Sequence, residues 1–275
     1  MKPVKFDYLR AASLAEAHET LAVEGGDASI IAGGQTLVPL LSMRMARPKV
    51  LVDIMHVAEL GGIAVKDNTI RVAATERQAS LLAWPELTKR QPLLSLAMPW
   101  VGHAQTRTRG TVCGSVALAD PSAEIPLALI ALDGEIELSS AKSKRRVAAG
   151  DFFTGLMSTA REDDELIEAV RFPCAKPGDG HAFREFARRH GDFAIVACAA
   201  VATAQGTRLT IGGVADRPTA QDFGTLDGSA LDDALQDFAV TLEAREDLNA
   251  TAGQRRDLVR KLGRQTIEEA RACRA

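Results

Sequence analysis

The chain has 275 residues and a formal net charge of −3, with 46% hydrophobic and 25% charged residues. That length allows two domains at roughly 100–200 residues each and buries enough apolar surface to need no disulfide staples. The composition excludes a disordered or collagenous chain, and the mildly acidic balance excludes a nucleic-acid binder that works by an excess of Lys and Arg.

The elements follow in chain order. Ser13 reads as a helix cap, with Glu16 completing an S-x-x-E box. Leu14, Ala17 and Leu21 share one face at helical spacing, and Gly25-Gly26 closes the helix. Ser29 to Ala32 reads as a buried strand, broken by Gly33-Gly34-Gln35-Thr36. Leu37, Leu40 and Leu41 resume helical spacing up to Arg47-Pro48, because a residue before proline is pushed out of the helical region. Val50 to Ile54 is a second strand and Ile70 to Ala73 another, followed by a capped helix start at Thr75 to Gln78. Residues 91–104 read as helical, Arg109 to Pro121 as irregular, and 124–132 as an apolar helix.

Asp133-Gly134 marks a turn, and Glu135 to Leu138 alternates like a half-exposed strand. The basic run Lys142, Lys144, Arg145 and Arg146 reads as a solvated hairpin turn, with a docking patch for an acidic partner as the lesser alternative. Leu166 to Phe172 is strand-like. Residues 174–180 are the most loop-like stretch, and a domain boundary is expected there. Strands are expected at 182–188, 194–203 and 208–214, then helices around 228–240 and 254–272. Strands followed by helices predict an α+β C-terminal domain.

The four cysteines, at 113, 174, 198 and 273, form no CxxC pair. Their spacing encodes no zinc ribbon and no cysteine-ligated iron–sulfur cluster, and their scatter suggests a reducing compartment. Met1 to Arg10 has no apolar signal core, and no stretch reaches ~18 apolar residues, so a cytoplasmic protein without a membrane span is expected.

Three stretches carry chemistry. Ala32-Gly33-Gly34-Gln35-Thr36-Leu37 lies between a strand and a helix. Paired glycines let backbone N–H groups approach a ligand, and a following helix start adds partial positive charge, which together suit a phosphate or diphosphate. A simple chain-reversing turn explains the same residues as well. The pattern is neither G-x-G-x-x-G nor a P-loop. The second stretch, Gln105 to Ser115, places Arg107 and Arg109 ahead of Thr111-Val112-Cys113-Gly114-Ser115, with Glu124 close behind as a carboxylate able to accept from ribose hydroxyls. The third runs from Phe183 to Ala194 and packs three Phe and three Arg into a chain with only 4% aromatics. An aromatic there could cover a flat ring, although a core strand with snorkelling arginines fits the pattern better.

Four ordered segments carry a resemblance: AGGQTLVPLLSMRMARPKVLVDI at 32–54, QTRTRGTVCGSVALADPSAEIP at 105–126, DFFTGLMSTA at 151–160 and FARRHGDFAIV at 186–196. With these the chain resembles the FAD-binding medium subunit of the molybdenum hydroxylases. The resemblance implies an α+β fold with a vanillyl-alcohol-oxidase-type (PCMH-type) two-lobed FAD-binding domain over 1–175, its lobes about 1–56 and 57–175. A C-terminal domain of antiparallel sheet plus helices over 176–275 is implied after it. FAD would lie extended between the lobes. Ala32, Gly33, Gly34, Gln35, Thr36 and Leu37 would hold the diphosphate. Thr111, Val112, Cys113, Gly114 and Ser115 would form the second loop, and Glu124 would meet the adenosine end. Leu166 and Ile167 would pack near the cofactor, and Asp192 and Phe193 would approach the isoalloxazine. The family's second loop reads T-I-G-G-N, so Cys113 stands for a glycine and Ser115 for an amide. Cys113 therefore needs a backbone angle that suits a Cβ.

The resemblance also implies a division of labour. A large partner subunit would carry a molybdenum cofactor and a small one two [2Fe–2S] clusters, for which this chain has no cysteine spacing, in a dimer of heterotrimers. This chain would hold FAD and pass electrons from the clusters to an external acceptor, with no catalytic acid or base and no metal of its own. The alternative is a self-sufficient FAD-dependent oxidoreductase on the same fold, with His103 or His190 as its base.

Overall fold

The helix, strand, turn, helix, strand run expected over residues 13–54 is present in the computed structural model, which describes residues 2–274. Met1 and Ala275, the outer ends of the two expected domains, lie outside the described residues. Helix Leu14–Glu24 is capped by Ser13, whose hydroxyl accepts from the Glu16 N–H at 3.2 Å. The Glu16 carboxylate accepts from the Ala12 N–H at 2.7 Å, one residue upstream of a regular capping box. Strand Ala28–Ile31 and strand Val50–Asp53 run parallel, and Val50–Asp53 also pairs with Asp7–Arg10 on its other side. Asp7–Arg10 carried no sequence signal, being short and mostly exposed. The helix after the glycines spans only Leu37–Ser42. It stops before Arg47-Pro48 because Arg44 takes a φ of 60°, outside the helical region.

A five-stranded antiparallel sheet follows, in the order Ile63–Lys66, Thr69–Ala73, Leu166–Pro173, Glu135–Ser139, Lys144–Ala148. Helix Gln78–Leu82 starts after Arg77, which makes no side-chain cap. The expected capping residues tie down the neighbouring loop instead, Thr75 donating to the Leu60 carbonyl and Glu76 accepting from the Gly62 N–H. Residues 91–104 break into helix Pro92–Ala97 and a single turn Met98–Trp100, with helix Ala104–Arg107 beginning at their end. The basic run spans the expected hairpin, with Lys142 in its turn and Lys144, Arg145 and Arg146 on its second strand. Lys144 pairs with Glu168 at 2.8 Å and Arg145 with Glu165 at 2.7 Å, which neutralises much of its charge.

The stretch Arg109 to Pro121 was expected to be irregular and holds helix Val112–Leu118. Thr111 caps it, accepting from the Gly114 N–H at 3.0 Å. Gly, Ser and Thr hid its helical character because they score as turn formers away from such a cap.

Helix Glu124–Ala131 is buried along its whole length. It packs against an antiparallel sheet of Gly180–Phe186, Val196–Thr203, Gly206–Gly212 and Thr219–Asp222. Thr219–Asp222 is an edge strand that the sequence reading did not include. Period-two alternation divides this sheet between two cores. Phe183, Ala197 and Ala199 join the larger core, while Ala182, Cys198 and Ala200 join a second core with Leu231, Leu235, Val259 and Ile267. Those last four come from helices Gly228–Thr241 and Ala252–Ala272, which cover the outer face. Alanine is normally scarce in strands. Val196–Thr203 is rich in it because helices approach closely on both of its faces. Among the described residues no helix is long and apolar enough to cross a membrane.

Candidate cofactor site

A cleft of about 580 Å³ opens where the parallel strands end. Ligands of α/β sheets favour that place, outside the carboxyl ends of the strands. Strand Ala28–Ile31 feeds one wall directly, through Ala32, Gly33, Gly34, Gln35, Thr36 and Leu37. The N–H groups of Gly33, Gly34, Gln35 and Thr36 meet no carbonyl or side-chain acceptor among the described residues. The Thr36 hydroxyl makes no cap bond. Successive free N–H groups of this kind form a concave anion site. Gly34 has a φ of 70°, which glycine adopts at no steric cost. A Cβ on Gly33 would run into the Arg109 carbonyl oxygen and lie 2.7 Å from the Gly110 Cα. The first stretch is thus pressed against the second, and only glycine permits the approach.

The second stretch forms the facing wall. Thr111, Cys113, Gly114 and Ser115 line the cleft. Val112 does not: it is fully buried, and its N–H donates to the Glu76 carbonyl at 3.0 Å. Cys113 sits inside a helix, so it needs no unusual backbone angle. Its thiol donates to the Val72 carbonyl at 3.5 Å, and burial pushes it up to about 12. Glu124, only 4% exposed, starts its helix on the same wall. Burial pushes its carboxyl up to about 7. Its own backbone N–H and Arg107 pull it down, and Asp120 adds to the rise.

Leu166 and Ile167 supply an apolar floor from the central strand of the five-stranded sheet. The mouth is edged by Gly191, Asp192 and Phe193. Arg189 pairs with Asp192 at 3.1 Å, and the Phe193 ring is 59% exposed while still lining the cleft. His190 stacks on Trp100 with ring centroids 4.8 Å apart, which seats this segment on the loop that ends in Val101 and Gly102. Fifteen of the sixteen expected residues therefore face one cavity, Val112 being the exception. The sequence reading missed Arg161, the cleft's long cation, whose guanidinium is held by the carbonyls of Glu162 and Glu165 at 2.7 Å each. It follows the DFFTGLMSTA segment directly, and a lone arginine after a matched segment gave no further signal. Gln78 and the Ser29–Ile31 backbone were missed too, lacking any motif.

The sequence pattern of the FAD-binding domain in molybdopterin dehydrogenase matches residues 4–175, more than half of the chain. The chain belongs to that family. Among its relatives, the 6-hydroxypseudooxynicotine dehydrogenase complex subunit alpha of Paenarthrobacter nicotinovorans is 43% identical over 74% of this chain and 69% of its own. The nicotine 6-hydroxylase medium subunit of the same organism is 34% identical over 99% of both chains. A chain of the carbon monoxide dehydrogenase of Hydrogenophaga pseudoflava, solved without the Mo-pyranopterin moiety of its molybdenum cofactor, superposes with a TM-score of 0.94 at 29% identity over 100% of both chains. Like the FAD subunits of molybdenum oxidoreductases, this family member combines helices and sheets and is an oxidoreductase component. The cavity suits the family's cofactor: its volume lies within the roughly 300–1,000 Å³ of ligand sites, its N–H cradle matches a diphosphate, and its floor is apolar.

Proposed function

We propose that this chain is the electron-transfer medium subunit of a heterotrimeric molybdenum-containing hydroxylase, with FAD extended along the cleft. The observation that carries the reading is the run of unpartnered N–H groups from Gly33 to Thr36, facing Glu124 across one cavity. Ala32 to Leu37 hold the diphosphate. Thr111, Cys113, Gly114 and Ser115 line the facing wall and support that cradle. Glu124 accepts from the adenosine ribose, and Leu166 and Ile167 exclude water from the cofactor. Asp192 and Phe193 orient the isoalloxazine at the mouth, where Phe193 offers a ring face without a hydroxyl. FAD supplies a centre that accepts electrons one or two at a time.

The chain's own work is then to bind, to orient and to set the distance from the donor. The scatter of Cys113, Cys174, Cys198 and Cys273 is consistent with clusters carried elsewhere. We infer a large molybdenum-cofactor subunit, a small subunit with two [2Fe–2S] clusters, and a cytoplasmic dimer of heterotrimers. Residues 1–175 form the two-lobed cofactor domain and 176–275 the C-terminal domain.

The test is the visible absorption spectrum of the chain purified gently from its host. A flavin spectrum overlaid with broad iron–sulfur absorbance is expected. A chain that stays colourless with added FAD overturns the reading, and a flavin bound with no iron-bearing partner, even after mixing with cell extract, overturns the heterotrimer.

A further inference from the structure

Arg161 is the only lysine or arginine that lines the cleft among the described residues. Its Nη1 donates to the carbonyls of Glu162 and Glu165 at 2.7 Å each and of Asp163 at 3.4 Å. Guanidinium N–H bonds lie in the plane of the group, so these carbonyls fix that plane and leave its faces free. Arg145 holds the Glu165 carboxylate at 2.7 Å, which braces the turn in its place. A Cβ on Gly26 would lie 3.2 Å from Asp163 Oδ2, so the turn stands beside the start of strand Ala28–Ile31. The diphosphate cradle follows the end of that strand, four residues on at about 3.3 Å each. Beyond the cradle, close contacts lead away to the mouth. A Cβ on Gly110 would lie 3.0 Å from the Thr106 carbonyl oxygen, one on Gly102 3.2 Å from the Thr106 side chain, and one on Gly191 2.9 Å from the Gly102 carbonyl oxygen. The cradle therefore stands between Arg161 at one end and Phe193 at the other.

Ala28, Ser29, Ile30 and Ile31 all line the cleft. Successive residues of a strand point to opposite faces, so a cavity that touches all four meets the strand along its edge. This strand is the last in its sheet and pairs only with Val50–Asp53. Its other edge offers a row of N–H and C=O groups with no strand to take them. We propose that Arg161 and this open edge form an adenine pocket, and that Arg161, stacking its guanidinium plane on the base, makes the site select FAD over FMN. The inference rests on the reading of the cleft as an FAD site with the isoalloxazine at the mouth, which leaves the far end to the adenosine half. Adenine carries an amino donor beside a ring-nitrogen acceptor, the complement of a strand edge. Base faces stack on arginine planes. Leu166 and Ile167, which follow Glu165 directly, add apolar surface. FMN ends at its single phosphate and reaches none of these groups.

The test titrates FAD and FMN separately into the deflavinated full chain, wild type and variants. Wild type should bind FAD at least about tenfold more tightly than FMN, the scale of one desolvated cation–ring contact. Arg161→Ala should weaken FAD by about tenfold and leave FMN within about twofold. Arg161→Lys keeps the charge and loses the planar face, so it should fall as far as R161A. Full FAD affinity in R161K would make the group a point charge and overturn the stacking. An equal loss of FAD and FMN in R161A overturns the adenine assignment. A second measurement needs neither a variant nor a flavin: ADP and inorganic pyrophosphate are titrated into the deflavinated wild-type chain. ADP should bind at least about tenfold more tightly, and equal affinities overturn the proposal even if both variants fold poorly. A chain that binds ADP in this way and never FAD would count against the cofactor reading alone, whereas one that binds FAD and FMN equally would keep the flavin site and lose the adenine pocket.

Discussion

The two glycine-and-hydroxyl stretches look alike as sequence and differ as structure. Gly33 to Thr36 form an open turn that lines the cleft and whose N–H groups have no internal partners among the described residues. Thr111 to Ser115 begin a helix, and most of their N–H groups are already taken: Val112 by Glu76, Gly114 by the Thr111 hydroxyl, Ser115 by the Thr111 carbonyl. The difference teaches that glycine content alone does not make an anion cradle. What matters is whether neighbouring backbone leaves the donors unspent. In the proposed function the first stretch binds FAD, and the second braces it through the contact at Gly33.

The largest effect should follow from breaking that contact. Gly33→Val places a branched side chain where the Arg109 carbonyl and the Gly110 Cα already stand. Overpacking costs about 1–3 kcal/mol, so FAD affinity should fall roughly fivefold to 150-fold. Binding isotherms measure it. Wild-type affinity in G33V would mean that the stretches can separate freely and that the second does not brace the first.

Much of this arrangement was legible in the sequence, and the exceptions have physical causes. The Ser13 cap, the Ala28–Ile31 strand and the buried Glu124–Ala131 helix announced themselves by capping chemistry and periodicity. Strands Asp7–Arg10 and Ile63–Lys66 did not, because short strands with exposed positions carry little hydrophobic signal. Helix Val112–Leu118 was hidden by residues that favour turns until Thr111 caps them. At the site, residues in motifs were readable, while Arg161 was not, since its place depends on carbonyls of a turn that only the fold assembles.

Removing the brace's own cap should have a middling effect. Thr111 is 2% exposed and its hydroxyl serves the Gly114 N–H. Thr111→Ala should cost about 1 kcal/mol of stability, lowering Tm by roughly 2–4 °C in a protein of this size. FAD affinity should change by less than about threefold, because the freed N–H belongs to the stretch that supports. Thermal melts and FAD titrations separate the two quantities. A large loss of affinity with an unchanged Tm would reverse the roles assigned to the two stretches.

The smallest effect is expected at Cys113. The family's glycine at this place suggested a demand for unusual backbone freedom, but here the residue lies within a helix without a positive φ. Its thiol is turned toward the Val72 carbonyl and held up to about 12 by burial. Such a thiol is inert, since the thiolate is the reactive form. Cys113→Ala should leave FAD affinity within about twofold, and Cys113→Gly should cost about 0.5–1 kcal/mol more, the usual penalty for glycine within a helix. Thiol labelling of the folded chain should mark the exposed Cys273 and spare Cys113. Were Cys113→Gly to bind FAD tenfold more tightly, the second stretch would be a cradle strained by its Cβ. The contrast between a binding turn and a bracing helix would then fail at the residue where the two stretches differ most.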